Sequence, residues 1–259
     1  MTTNLLALPL PLIFVLSLVF LILGALLGCR LGERATVRGG STIGTITASI
    51  LGMLALMIGF TFSMALMRYD ARRDALLQEA TAIGTTALRA RLLPAPYAME
   101  SLKLLRDYTQ IRLDLAAHAP SEEATAAAIA RSNDIQELLW QKAKAVAATN
   151  NAMVPTGLYM NTLNDMIDDQ ERRLTAVRND VPAIVIWALY VIAVIAVGFT
   201  GYAVGLERQF SRVPICILSI VIALVILLIQ DLNRPNVGFM RVSQQPILDV
   251  AASLEGYTK

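Results

Sequence analysis

Four long stretches of this sequence contain no ionisable side chain, and that pattern limits the folds open to the chain more than any other feature. Residues 1–29 are free of charge, and nearly every position from Leu5 to Leu27 is Leu, Ile, Val, Phe, Ala or Pro. A second block runs from Gly39 to Met67, a third from Val181 to Leu206 and a fourth from Val213 to Gln230. Each reaches the roughly 18 to 20 residues that carry a helix across about 30 Å of hydrocarbon. Four transmembrane helices are therefore expected, with a polar segment of more than a hundred residues between the second and third. The composition agrees: 56% of residues are apolar and 16% charged, where a soluble domain carries about a quarter charged. Disorder is excluded. A balance of 22 Lys and Arg against 20 Asp and Glu leaves no excess to neutralise phosphates, so no nucleic-acid partner is expected.

The opening residues Met1-Thr2-Thr3-Asn4 lack Lys and Arg, and the apolar run is longer than the core of a signal peptide, so the first block reads as a retained span. Cys29 and Cys216 lie at membrane edges in different blocks and read as two thiols, not as a disulfide or metal pair. Four spans place the middle region and both ends on one side. Arg30, Arg34, Arg38, Arg208 and Arg212 fall in the short loops; Arg68, Arg72, Arg73, Arg172, Arg173, Arg178, Arg234 and Arg241 fall on the opposite side. The larger count favours a cytoplasmic middle, while the three Arg after an uncharged first helix favour the reverse.

Between Arg68 and Asp180 the apolar residues keep a helical period. Leu104, Tyr108, Ile111 and Leu115 step by 4, 3 and 4, and Tyr159, Leu163 and Met166 continue the pattern. Pro94 and Pro96 close a helix after Leu93, Pro120-Ser121-Glu122-Glu123 looks like a capped start, and Pro155 lies near another. About four helices are expected, the first continuing out of the second membrane span because Ser63 to Arg91 holds no Pro. The chain thus divides into membrane helices over 1–67, a soluble helical region over 68–180, membrane helices over 181–231 and a C-terminal tail over 232–259.

Catalytic and metal patterns are missing from the sequence. His118 is the only histidine and sits in a polar stretch, expected to be a loop, with no ligand at metal spacing. There is no Ser-His-Asp set, HExxH or GxxxxGK[ST]. The acidic run Asp165, Asp168, Asp169 and Glu171 reads as a solvated face, with Asp168 facing Arg172 and Asp169 facing Arg173 at i, i+4. Neither an enzyme nor a cofactor is expected. Asp231 and Arg234, one turn apart, are expected to form a structural ion pair. Gly198 and Gly201, with Pro9 and Pro11, leave room for local distortion in their spans.

In the second membrane helix Thr45, Ala48, Gly52, Ala55 and Gly59 form a stripe of small residues beside Met53, Leu56, Met57, Phe60 and Met64. Such a stripe serves ordinary helix packing, or it lets copies of the helix surround an axis, with Leu56 and Phe60 forming apolar rings that gate by dewetting. No charge lies inside the membrane blocks, which disfavours a secondary transporter.

The run from Gly59 through Phe60, Ser63 and Arg68-Tyr69 to Arg73 resembles the end of the second membrane helix of bacterial bestrophins. Gln230 to Pro235 and Val242 to Ile247 resemble that family's segments after the last membrane helix. More closely, the chain resembles a bestrophin-like bacterial membrane family of unknown function. That likeness is carried by Arg68-Tyr69-Asp70, Glu79-Ala80, Ala82-Ile83-Gly84, Leu92-Leu93-Pro94, Leu163-Asn164 and Asp231 to Pro235. It implies an all-α integral membrane fold whose soluble helical region is inserted between the second and third spans. It also implies a homo-oligomeric, pentameric channel for monovalent ions in the inner (plasma) membrane, with the inserted region cytoplasmic. The family's neck carries over onto Gly52, Leu56 and Phe60; Gly52 replaces a large apolar residue, which implies a wider upper neck. The calcium clasp of animal bestrophins has no counterpart here. The rival reading is a non-conducting membrane-anchored interaction or sensor module.

Overall fold

The computed structural model describes residues 8–35, 40–117, 121–149, 154–207, 211–235 and 238–258. His118, Pro120, Arg38 and Arg208 lie outside them. Eight helices are described: α1 (Leu10–Arg34), α2 (Gly40–Ala90), α3 (Tyr97–Ala117), α4 (Glu122–Thr149), α5 (Val154–Arg178), α6 (Ala183–Leu206), α7 (Val213–Leu232) and α8 (Gln245–Thr258). The fold is all-α, and among the described residues four helices are long and apolar enough to cross a membrane. The second continues unbroken past Arg68 to Ala90, as the absence of Pro predicts. It ends a few residues before the expected stop, with the amides of Leu92 and Leu93 turning back onto the carbonyls of Arg89 and Ala90.

The chain forms two compact units, one of residues 1–69, 180–234 and 238–240, the other of 70–179, 235–237 and 241–259. In the first, Leu21, Leu189, Ala193, Ala196, Val197, Ile226 and Ile229 form the centre of an apolar core. Its closest helix pair is α1 with α6, and glycine explains why. A Cβ on Gly28 would stand 2.0 Å from the carbonyl oxygen of Gly198, and one on Gly201 would stand 2.3 Å from that of Ala25. Backbone meets backbone there, the contact that small residues permit between membrane helices. Gly198 and Gly201 therefore do not distort α6, which runs unbroken through both. Cys29 and Cys216 are free thiols, as expected, the first buried and the second exposed.

In the second unit Leu105, Tyr108, Leu139, Tyr159, Leu163 and Met166 are wholly buried. The stripe on α3 is rotated from the one periodicity gives. Leu104 is only partly covered, whereas Leu102, Leu105, Tyr108 and Arg112 are 3%, 0%, 0% and 2% exposed. A charged residue completes the inward face, which a count of apolar residues passes over. Ser121 caps α4, its hydroxyl accepting the Ala124 amide at 3.2 Å. The tail region contains α8, which buries Ile247 and Leu254 and places Tyr257 under the Arg91 guanidinium at 4.5 Å.

Burial raises the Tyr159 hydroxyl to about 12; burial, with the Glu79 carboxylate next in importance, raises Tyr108 well above the ordinary tyrosine range. A phenol whose folded pKa lies above its unfolded value of 10.0 contributes stability in full below that pH and loses it as pH rises through the folded pKa. Phenolate absorbance in an alkaline titration should therefore show these two tyrosines silent until the soluble unit unfolds, above pH 10. Their ionisation in step with exposed tyrosines would contradict that.

Candidate functional site

Helix α2 turns about 100° per residue, and its burial follows that rotation along its whole length. Thr47, Leu54, Thr61 and Ala65 are buried at spacings of 7, 7 and 4; Arg72, Leu76, Glu79, Ile83, Thr86 and Ala90 follow at 4, 3, 4, 3 and 4. The opposite face of its apolar half is left largely uncovered by the described residues. Leu56 and Phe60 are 63% and 69% exposed, and a Cβ on Gly52 or Gly59 would find no atom within 4 Å. Thr45, Ala48, Ser49, Ala55 and Ser63 are exposed with them. Of the most apolar 18 residues in each span, 17% are buried in α2 against 28% in α1 and 39% in α7.

This exposed face differs in kind from those of its neighbours. On α1 the exposed residues include Val15, Val19, Phe20, Leu23, Leu27 and Leu31, and on α7 Ile217, Ile220, Val221 and Leu224, the large apolar side chains that lipid tails surround. On α2 small and hydroxyl-bearing residues are interspersed among the exposed Ile46, Met53, Leu56, Phe60, Leu66 and Met67. One and two turns beyond Met67, Asp70 and Asp74 are exposed on the same side of the helix, whereas Arg72 points to the buried side at 3% exposure.

The soluble unit is organised around Glu79, 0% exposed. Arg112 Nε lies 2.7 Å from its Oε1 and Arg173 Nη1 2.6 Å from its Oε2. The Tyr108 hydroxyl is 3.0 Å from both Glu79 Oε1 and Gln170 Oε1. Gln170 donates to Asn133 at 2.8 Å, and Arg173 to Gln244 at 3.2 Å. Two guanidiniums and a phenol thus hold one carboxylate that would otherwise be costly to bury. The acidic run on α5 is paired differently from the expected solvated face. Asp169 accepts from Arg172 at 2.9 Å, three residues on, because Arg173 is drawn inward to Glu79. Among the described residues no group of three or more His, Cys, Asp or Glu could hold a metal. Glu79 had a sequence signal, a carboxylate in phase with Leu76, Ala80 and Ile83; its partners, 33 and 94 residues away, had none.

Asp231, 2% exposed, accepts the backbone amides of Phe239 and Met240 at 2.9 and 3.0 Å. A Cβ on Gly238, whose φ is +144°, would strike the same carboxylate at 1.9 Å. Arg234 donates to the Leu8 carbonyl. Asp231 acts on that guanidinium electrostatically, opposing the downward effect of burial. Asn233 accepts the Val181 amide at 2.8 Å. The turn after α7 is thus fixed by hydrogen bonds from these side chains to backbone.

These features define a class: an all-helical membrane protein with four candidate spans and a helical insertion of α3 to α5 between the second and third. A family model described as the Bestrophin-like domain matches residues 13–247. The chain belongs to the Bestrophin-like family. Its fold is similar to solved structures of a bacterial bestrophin homolog from Klebsiella pneumoniae. One, carrying a point mutation, shares 16% identity over 95% of this chain and 98% of that one, with a TM-score of 0.69. A second variant gives 15%, the same coverages and 0.71. The structure phased on zinc gives 16%, 96%, 98% and 0.67. At these identities the likeness is one of fold. No curated protein matches the chain.

Proposed function

We propose that copies of this chain assemble as a ring, a pentamer, and pass monovalent ions along an axis lined by α2. The observation that carries this reading is the α2 face that the described residues leave uncovered, where Leu56 and Phe60 stand one turn apart among small and hydroxyl-bearing residues. Turned toward an axis, Leu56 and Phe60 make successive apolar rings narrow enough to gate by dewetting. Gly52 adds a wider ring one turn earlier, and Thr45, Ala48, Ala55 and Gly59 give neighbouring copies room to approach. The same reading places the chain in the inner membrane with its inserted helical region in the cytoplasm.

The sign of the ion follows from the charges on that face. Just beyond Met67 the exposed ionisable residues of α2 are Asp70 and Asp74 on the Leu56 side, with Arg73 about a quarter turn off it. A ring of copies gathers these carboxylates at the exit of the neck, which favours cations.

The purified chain, reconstituted in planar bilayers under a salt gradient, should conduct and give a reversal potential on the cation side. Leu56→Ala and Phe60→Ala should each raise the conductance several-fold. Asp70→Asn with Asp74→Asn should move the reversal potential toward zero while conduction persists. A folded oligomer that never conducts would favour the interaction or sensor module instead.

A further inference from the structure

We propose that Cys29 and Cys216 form an oxidisable dithiol site that closes as a disulfide between α1 and α7. The two cysteines are distant in sequence and both free. They line the same small cavity, of about 20 Å³, with Ile22, Ala25, Arg212 and Ser219. A void of that size holds at most about one water. The lining positions on α1 are Ile22, Ala25, Leu26 and Cys29; those on α7 are Arg212, Ile215, Cys216 and Ser219. Each set steps by 3, 1 and 3 and so keeps to one helix face; the two faces line the cavity together, with a cysteine on each.

The same seam is already tied at its end by an ion pair, Arg212 Nη2 to Glu33 Oε1 at 2.7 Å. That contact anchors the first turn of α7 to the last turn of α1, which limits how far the sulfurs can drift apart. The surroundings also differentiate the two thiols. Cys29 is 3% exposed, whereas Cys216 is exposed and is the thiol an oxidant reaches first.

With a peroxide as oxidant, the Cys216 sulfur attacks one peroxide oxygen, the O–O bond breaks, and a sulfenic acid and water result. The Cys29 sulfur then attacks the Cys216 sulfur, the S–O bond breaks, and a second water leaves as the disulfide forms. Two electrons pass from the thiols to the peroxide, and a dithiol reductant restores both cysteines. Closure requires the Cβ atoms to come within about 3.5 to 4.5 Å, with α1 and α7 closing on the cavity between them.

The test is mass spectrometry of the full chain in lipid vesicles after hydrogen peroxide. The expected result is loss of both alkylatable thiols, a Cys29–Cys216 cross-linked peptide within one chain, and full reversal by dithiothreitol. In Cys29→Ser, Cys216 should progress irreversibly to sulfinic and sulfonic acids, because its resolving partner is gone. In Cys216→Ser, Cys29 should stay reduced. Wild-type protein that keeps both thiols, or that cross-links only Cys216 to Cys216 between copies, would overturn the proposal. None of these readouts depends on conduction.

Discussion

Replacing Glu79 with alanine is expected to destabilise the soluble unit by about 3 to 5 kcal/mol, the cost of leaving buried charges without their partner. Arg112 and Arg173 are 2% and 9% exposed, and without the carboxylate both stay charged and away from water. Glu79→Gln should do nearly the same, since it keeps the shape but not the charge. The informative comparison is the triple variant Glu79→Leu, Arg112→Met, Arg173→Leu. Removing a buried ion cluster as a whole is often neutral or stabilising, so the triple variant should recover most of the stability. Thermal unfolding followed by the signal of the helical unit measures both. If Glu79→Ala melts like the wild type, the cluster is not buried as described.

The second large effect is expected at the contact of α1 with α6. In Gly28→Val the new Cβ would stand 2.0 Å from the Gly198 carbonyl oxygen and 2.9 Å from its carbon. Both are backbone atoms that no rotamer change can move aside, so the helices must separate. The loss should reach or pass about 3 kcal/mol, the upper end for overpacked sites. Gly157→Ala is the control, because nothing lies within 4 Å of that position; there the substitution should stabilise α5 by up to about 1 kcal/mol. Unfolding of the two variants in detergent separates steric conflict from the general effect of removing a glycine. Equal behaviour of the two would contradict the close contact.

The spans were legible because a bilayer demands uncharged runs of one length, and the four blocks match α1, the first part of α2, α6 and α7. The long α2 was legible because no Pro interrupts Ser63 to Arg91. What escaped the sequence was the pairing of groups far apart along it. Arg173 read as part of a solvated face opposite Asp169, until Glu79 places a carboxylate within its reach and that of Arg112. Asp169 was then left for Arg172 in place of Arg173. The glycines at Gly28 and Gly201 carried no more signal than those at Gly52 and Gly59; only packing separates a glycine pressed on a neighbouring backbone from one facing open space. The α2 face was visible as a stripe of small residues. Its lack of any cover within the chain became visible only when every other element had been placed.

Single-particle imaging of the purified oligomer in lipid nanodiscs tests the central claim most directly. A ring of copies with a continuous axial opening, bordered by Gly52, Leu56 and Phe60 of every copy, is the predicted result. An assembly in which those residues face the surrounding lipid, or in which α2 helices meet at the centre with no opening between them, would contradict it.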